Sequence, residues 1–208
     1  MRLFELIRKA WFGRTRYQWD REYATGRWDY FREPGEEARY KALLQFITQY
    51  LGGDRTILEI GCGEGILQAR MAPGSYSRFL GIDISKVAVR RAARLSDQTT
   101  DYRAANMETY IPRGKYDLII FNEVLYYSAD PMRLMKRYAA FLRPGGLILA
   151  SLNETKKSLE IMQTLEQEFG LVDQRISTYE RGAWHCKVYS QTQPGAPFPN
   201  ALQPVDLE

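Results

Sequence analysis

Cysteine and histidine are nearly missing from this chain, which has two cysteines, Cys62 and Cys186, and one imidazole, His185, in 208 residues. That set forms no metal-ligand cluster and no disulfide framework, so no metal is expected and a reducing, cytoplasmic setting is. No apolar run approaches the roughly 20 residues that cross a bilayer. No apolar leader with a small-residue cleavage site opens the chain, so neither a span nor a secretory signal is expected. An excess of charge is lacking too: 29 basic residues against 25 acidic ones leave +4. General nucleic-acid binders carry a concentrated basic face, and no such partner is expected here. There is no internal repeat, and the length suits one packed domain with a modest extension.

What is present is a glycine-broken strand. Ile57 to Ile60 is a short apolar run, and glycines at 61, 63 and 65 interrupt it before an apolar-periodic segment from Ile66 to Met71. The spacing predicts strand, tight loop, helix. A loop of glycines can take positive φ and bring its backbone against a ligand, which points to a nucleotide site. A dinucleotide fingerprint fails, because Ile66 stands where its third glycine belongs, and no Gly-Lys-Ser/Thr follows for a Walker loop.

Glu59-x-Gly61-x-Gly63-x-Gly65 instead resembles the first motif of class I S-adenosylmethionine-dependent methyltransferases. That resemblance implies an α/β fold with a doubly wound, mostly parallel seven-stranded sheet and an antiparallel last strand. It also implies S-adenosyl-L-methionine as cofactor, S-adenosyl-L-homocysteine as product, and a loop of Gly61, Cys62, Gly63 and Gly65 beneath the donor. Glu59 would support the loop or the donor's amino group.

Phe79 to Ile84 reads as the second strand, ending near Asp83 with Ile84 beside it. A carboxylate there can accept two hydrogen bonds from a ribose diol; the alternative is a turn aspartate beside Ser85, which would cap the helix from Lys86 to Leu95. Asp101 to Ala105 supplies a third strand. Where the family commonly has an acid for the adenine amino group, this chain has Asn106, whose amide oxygen can accept the same bond. Met107 would pack on the adenine face or serve as ordinary core.

Tyr116 to Phe121 reads as the fourth strand, with Asn122 and Glu123 at its carboxyl end, the edge where open α/β sheets bind ligands. Glu123-Val-Leu-Tyr126-Tyr127 looks like the corresponding segment of NodS-like small-molecule methyltransferases, which methylate a sugar amine. Asn122 is assigned to the donor, and Glu123, Tyr126 and Tyr127 are candidates to orient the acceptor or take its proton. A structural role for Glu123 is the alternative. Asp130-Pro131 opens a helix through Leu142, Arg143 to Gly146 forms a family-like turn before a fifth strand at 147–152, and Lys156 to Phe169 is a further helix. Strands around 171–179 and 184–190 close the sheet through a turn at Arg181-Gly182. The resemblance covers about residues 36–190, judged by the strand and helix pattern. His185, in an edge strand, is a general-base candidate by residue type alone.

Residues 2–12 fit a short basic amphipathic helix, packed on its own domain or in weak contact with an anionic membrane surface. Tyr17, Trp19, Tyr23, Trp28, Tyr30 and Phe31 crowd the next segment, either as a lid offering acceptor contacts or as a packing layer for the extension. Glu36 to Leu51 is the helix before the first strand. The expected units are an extension over 1–35, a donor-binding domain over 36–190, and an irregular, Pro-rich tail over 191–208. The function expected is methyl transfer to nitrogen or oxygen of a small molecule, a sugar or natural-product intermediate. A non-catalytic donor-binding protein of the same fold is the alternative, and a nicotinamide enzyme the third.

Overall fold

A computed structural model describes residues 14–50, 54–179 and 182–192. The helix expected over 2–12, Arg181 of the expected turn, and the tail from 193 onward lie outside the described residues. Helix α1, Arg16–Ala24, starts after Thr15, whose backbone N–H donates to Gln18 Oε1 at 2.8 Å. Helix α2, Glu37–Tyr50, buries Tyr40, Leu43, Phe46, Ile47 and Tyr50 at helical spacing.

Seven strands follow: β1 Thr56–Ile60, β2 Arg78–Asp83, β3 Thr100–Ala104, β4 Tyr116–Asn122, β5 Leu142–Asn153, β6 Gly170–Tyr179 and β7 Gly182–Ser190. The sheet order is β3-β2-β1-β4-β5-β7-β6. All pairs are parallel except those that β7 makes with β5 and β6. Helices α3 (Lys86–Ala92), α4 (Pro131–Ala139) and α5 (Lys156–Leu165) complete the α-helices of the described residues. Ser85 Oγ accepts from Ala88 N–H at 3.1 Å to start α3, and Asp130 Oδ1 accepts from Arg133 N–H at 2.9 Å to start α4, as both caps should.

Helices on both faces bury the central strands twice, which is why β1 reads as a nearly unbroken apolar run. Alternate residues serve opposite cores. Ile57, Leu118, Ile120, Leu147 and Leu149 meet α2, whereas Leu58, Ile60, Ile119, Phe121 and Ile148 meet α4 and α5. By the same period of two, Glu59, Asn122 and Ser151 continue the α2 face at the carboxyl ends of their strands. The strand order reverses between β1 and β4, the place where such sheets hold ligands.

Several expectations need correction. Ile66 to Met71 forms turns and one 3-10 segment, Gln68–Arg70, because six residues before Pro73 are too few to propagate an α-helix. Arg143 to Gly146 belongs to β5, which begins at Leu142; the register with β4 shifts there and Gly145 takes φ +76°, so the break is a bulge within the strand. Helices α3, α4 and α5 end at Ala92, Ala139 and Leu165 rather than Leu95, Leu142 and Phe169. No helix among the described residues is long and apolar enough to cross a membrane.

Gly61 has φ +72°, and a Cβ there would lie 2.6 Å from Val124 Cγ2. Gly61→Ala is therefore expected to destabilise the fold by about 1–3 kcal/mol, from left-handed strain and overpacking together, measured as a lower denaturant midpoint with unchanged m-value.

Candidate active site

The glycine loop is pinned before it meets any ligand. Gly61 N–H and Cys62 N–H both donate to Ile82 O, at 2.8 and 3.0 Å, so the loop leaves β1 by folding over the tip of β2. Gly63 follows at φ +53° and donates its N–H to Asp83 Oδ2 at 3.0 Å, while Asp83 Oδ1 accepts from Ser85 N–H at 2.8 Å. Each carboxylate oxygen thus keeps a lone pair for a further donor.

A cleft opens over this loop. From β1 and the loop it is lined by Glu59, Gly61, Cys62 and Gly63; from β2 by Asp83 and Ile84; from the β3 exit by Asn106 and Met107; and from the β4 exit by Asn122, Glu123 and Tyr127. Trp19, Tyr23 and Trp28 close it from the N-terminal side. Most residues singled out in the sequence therefore meet in one place. Gly65, Tyr126, Tyr17 and Tyr30 do not line it: Gly65 packs on Tyr102, Tyr126 sits behind Glu123 and donates its hydroxyl to Glu123 Oε2 at 3.2 Å, Tyr17 is 76% exposed, and Tyr30 lies against Trp28 and Phe31. His185 pairs with Glu154 at 2.7 Å on β7 and does not line this cleft. Asn106 Oδ1 already accepts Glu108 N–H at 2.9 Å, one of its two lone pairs.

Residues the sequence reading passed over also face the cleft, chiefly Arg14, Arg39 and Glu64. Arg39 stands one helical turn before Leu43 on the buried stripe of α2. A charge in step with core residues was the available signal. Glu64, between two motif glycines, is buried and holds Arg32 from the N-terminal segment and Arg91 from α3. That segment is latched a second time by Asp20, whose Oδ1 accepts from Ser85 Oγ at 2.8 Å and Val87 N–H at 3.0 Å. Above the latches, Trp28 stacks on Trp19 at 5.6 Å and on Phe31 at 5.5 Å, and Trp19 meets Tyr127 edge-on at 4.8 Å.

Charge inside the cleft is costly. Burial pushes Glu59 up to about 8, opposed by a hydrogen bond from Asn122 and by the Arg39 charge. Burial likewise lifts Asp83 to about 6 against the Ser85 and Gly63 N–H groups. Glu123 rises to about 7, again by burial, with Arg39 and the Tyr126 hydroxyl opposing and Glu36 adding to it. The buried Cys62 thiol is pushed well up, so it presents an uncharged surface. Glu59 Oε2, Glu123 Oε1 and Trp28 Nε1 are shielded from solvent and have no hydrogen-bond partner. Glu123 is also the one non-glycine among the described residues with positive φ, +55°, a strained position of the kind that gathers at working sites.

A glycine loop at the reversal of a 3-2-1-4-5-7-6 sheet with β7 antiparallel defines the class I methyltransferase fold. A family model described as a methyltransferase domain matches residues 28–193, and the chain belongs to that family. It is 35% identical over 112 residues to the ubiquinone biosynthesis O-methyltransferase of Caulobacter vibrioides, covering 51% of this chain and 44% of that protein. It is 33% identical over 124 residues to the protein of the same name from Bordetella avium, covering 55% of this chain and 51% of that one. The chain spans about half the length of the curated relatives it matches. Among solved structures, the N-methyltransferase NodS of Bradyrhizobium japonicum WM9 with S-adenosyl-L-homocysteine superposes with TM-score 0.69 at 20% identity, covering 78% of this chain and 90% of that one. The Burkholderia thailandensis 1,6-didemethyltoxoflavin-N1-methyltransferase, with its acceptor and S-adenosylhomocysteine bound, gives 0.69 at 16%, covering 86% and 87%. These structures share the fold, and the class they represent uses S-adenosylmethionine.

The residues present fit that cofactor. An orphaned buried carboxylate oxygen on Glu59 suits an ammonium, and Asp83 has open lone pairs for a diol. At Gly63 a Cβ would come within 2.9 Å of the Tyr23 hydroxyl, so the loop meets Tyr23 closely only as glycine.

The raised carboxylates set a pH dependence. Each folded-state pKa lies above its unfolded value, so the stability these groups contribute is fully present below the unfolded values and is lost as pH rises through about 6, 7 and 8 at Asp83, Glu123 and Glu59. The melting temperature of the ligand-free protein is expected to fall between about pH 5 and pH 8. Glu59→Gln, which cannot ionise, should flatten the upper part of that fall in a differential scanning series.

Proposed function

We propose that this chain transfers a methyl group from S-adenosylmethionine to an oxygen or nitrogen of a small-molecule acceptor held beneath residues 14–36. The observation that carries the proposal is the pair of buried, unpartnered carboxylate oxygens, Glu59 Oε2 and Glu123 Oε1, on one cleft. One serves the donor and the other the acceptor.

The methyl donor supplies an activated sulfonium leaving group when bound, so the protein's work is orientation and exclusion of water. Glu59 holds the donor's ammonium. Asp83 accepts from its ribose hydroxyls, with Gly61, Cys62 and Gly63 giving backbone approach and Ile84 an apolar side. Asn106 and Met107 take the adenine end, where the Met107 carbonyl is itself fixed by the Tyr138 hydroxyl at 3.0 Å. Glu123, near neutrality in its titration, orients the acceptor and takes its proton, and Tyr126 holds the carboxylate in place. Tyr127, Trp19, Trp28 and Phe31 form an aromatic wall, which favours a flat, largely apolar acceptor over a bare sugar. The curated relatives' name, an O-methyltransferase, agrees with hydroxyl as the acceptor group. Residues 14–36 act as the lid, latched at Ser85 and Glu64 beside the donor residues. A cytoplasmic setting belongs to the same proposal and is supported by two buried, unbridged thiols.

Calorimetry with S-adenosylhomocysteine tests the donor half: Asp83→Ala is expected to weaken binding at least about tenfold, the loss of charged hydrogen bonds, and unchanged affinity removes the ribose assignment. A methyl-transfer assay over phenolic, hydroxylated and amine acceptors tests the other half. Glu123→Gln should bind donor product as the wild type does and turn over at least about a hundredfold more slowly, as for loss of a general base; wild-type turnover takes Glu123 out of the mechanism. For the lid, Asp20→Ala should raise the rate of proteolytic cleavage within residues 14–36 while the sheet domain stays intact.

A further inference from the structure

Arg39 carries its charge where water does not reach. The residue is 1% exposed, with its guanidinium 4.4 Å from the Tyr40 ring centre and 5.4 Å from that of Phe31. Its Nε and Nη2 donate to Glu36 Oε2 at 3.1 and 2.7 Å, and its Nη1 donates to Asn122 Oδ1. A guanidinium in such a place costs several kcal/mol unless fully paired. Glu36 alone would neutralise it. The third bond, to Asn122, reaches beyond neutralisation to the end of β4.

That bond decides which way the amide faces. Asn122 Oδ1 also accepts from Ser151 Oγ at 2.9 Å, so both its lone pairs are used and its NH2 is left for another acceptor; Glu59 lines the same cleft, and Asn122 favours its charged form. Glu59 Oε2 is buried without a partner. Glu123 is the next residue along the chain. The groups around it are Arg39 and Glu36 from the α2 side, Tyr126 and Tyr127 from its own turn, Tyr30 from the N-terminal segment, and Cys186 on β7. Of these, Arg39 is the cation that acts on Glu123; Arg14 lines the same cleft near Tyr127, and Lys157 Nζ donates to the Tyr126 carbonyl.

We propose that Arg39 is a positioning residue for both halves of the site: through Asn122 it fixes the carboxylate offered to the methyl donor, and by its charge it keeps Glu123 able to receive the acceptor's proton. The proposal rests on the donor and base roles assigned above, and adds a physical link between them. One guanidinium, anchored in α2, sets the geometry of one carboxylate and the ionisation of the other.

The test needs no acceptor. Protein labelled with 13C at its glutamate carboxyls is titrated by NMR, with the Glu123 signal assigned by its loss in Glu123→Gln, and binding of S-adenosylhomocysteine is measured by calorimetry. Arg39→Gln is expected to move the Glu123 midpoint to higher pH by about one pH unit or more, the effect of removing a nearby opposite charge. It should also weaken S-adenosylhomocysteine about tenfold, as for one charged hydrogen bond lost. Arg39→Lys keeps the charge without the fork, so it should restore the midpoint and leave the affinity low. Glu36→Gln should move the midpoint the other way, toward acid, because it removes a like charge. A Glu123 midpoint unmoved in folded Arg39→Gln overturns the proposal; if affinity falls in both arginine variants as well, Arg39 is a direct donor ligand instead. Should Arg39→Gln lose its near-ultraviolet circular dichroism, Glu36→Gln decides, and a midpoint that stays or moves alkaline overturns the proposal. Failure of the wild type to bind S-adenosylhomocysteine, or full turnover by Glu123→Gln, counts against the assigned function and is read separately from the midpoint.

Discussion

A carboxylate buried inside a doubly covered parallel sheet is the constraint on which this molecule turns. Glu59 lies on the central strand with 1% of its surface exposed, and ionised carboxylates without compensation are expelled from such places or neutralised. Here compensation is partial: Asn122 and the Arg39 charge favour the ionised form, and Oε2 has no partner. The sheet supplies rigidity, α2 supplies the cover, and the missing partner is left to whatever enters the cleft. A cationic ligand relieves the cost that the ligand-free protein carries, so stability and ligand affinity are linked at this residue.

The same economy shapes the N-terminal segment. It contributes little to either sheet core, yet it is tied down at Ser85 and at Glu64, next to Asp83 and between motif glycines. The latches are polar, and the packing between them is aromatic, Trp19 and Trp28 over Tyr127 and Phe31. Polar latches at a partly exposed rim are each worth little in water. A segment held in this way opens more readily than the core beneath it. The aromatic side chains wall the cleft on that side.

Much of this was legible in the chain itself. The strand and glycine loop were readable because burial on two faces and positive φ leave few residue choices, and the caps at Ser85 and Asp130 were readable because local hydrogen bonding is local in sequence. The short segment after the glycines was misread, since its apolar period is helical but its length is not. The bulge at the start of β5 was read as a turn, because Pro144, Gly145 and Gly146 carry the same signal in either setting. His185 drew attention by residue type, and its pairing with Glu154 arises from a strand end that the sequence does not display.

By itself the sequence determined the order of most elements, the class of fold and most of the residues that line one cleft, because those follow from periodicity, glycine conformations and short-range capping. Tertiary structure alone decided which charges meet. Arg39 and Asn122 are far apart in the chain, and only the packing of α2 on this face of the sheet, with its first turn at the carboxyl end of β4, brings them to one another and into the cleft with Glu59. Contacts of that kind depend on where rigid elements cross in space, and no local pattern encodes the crossing.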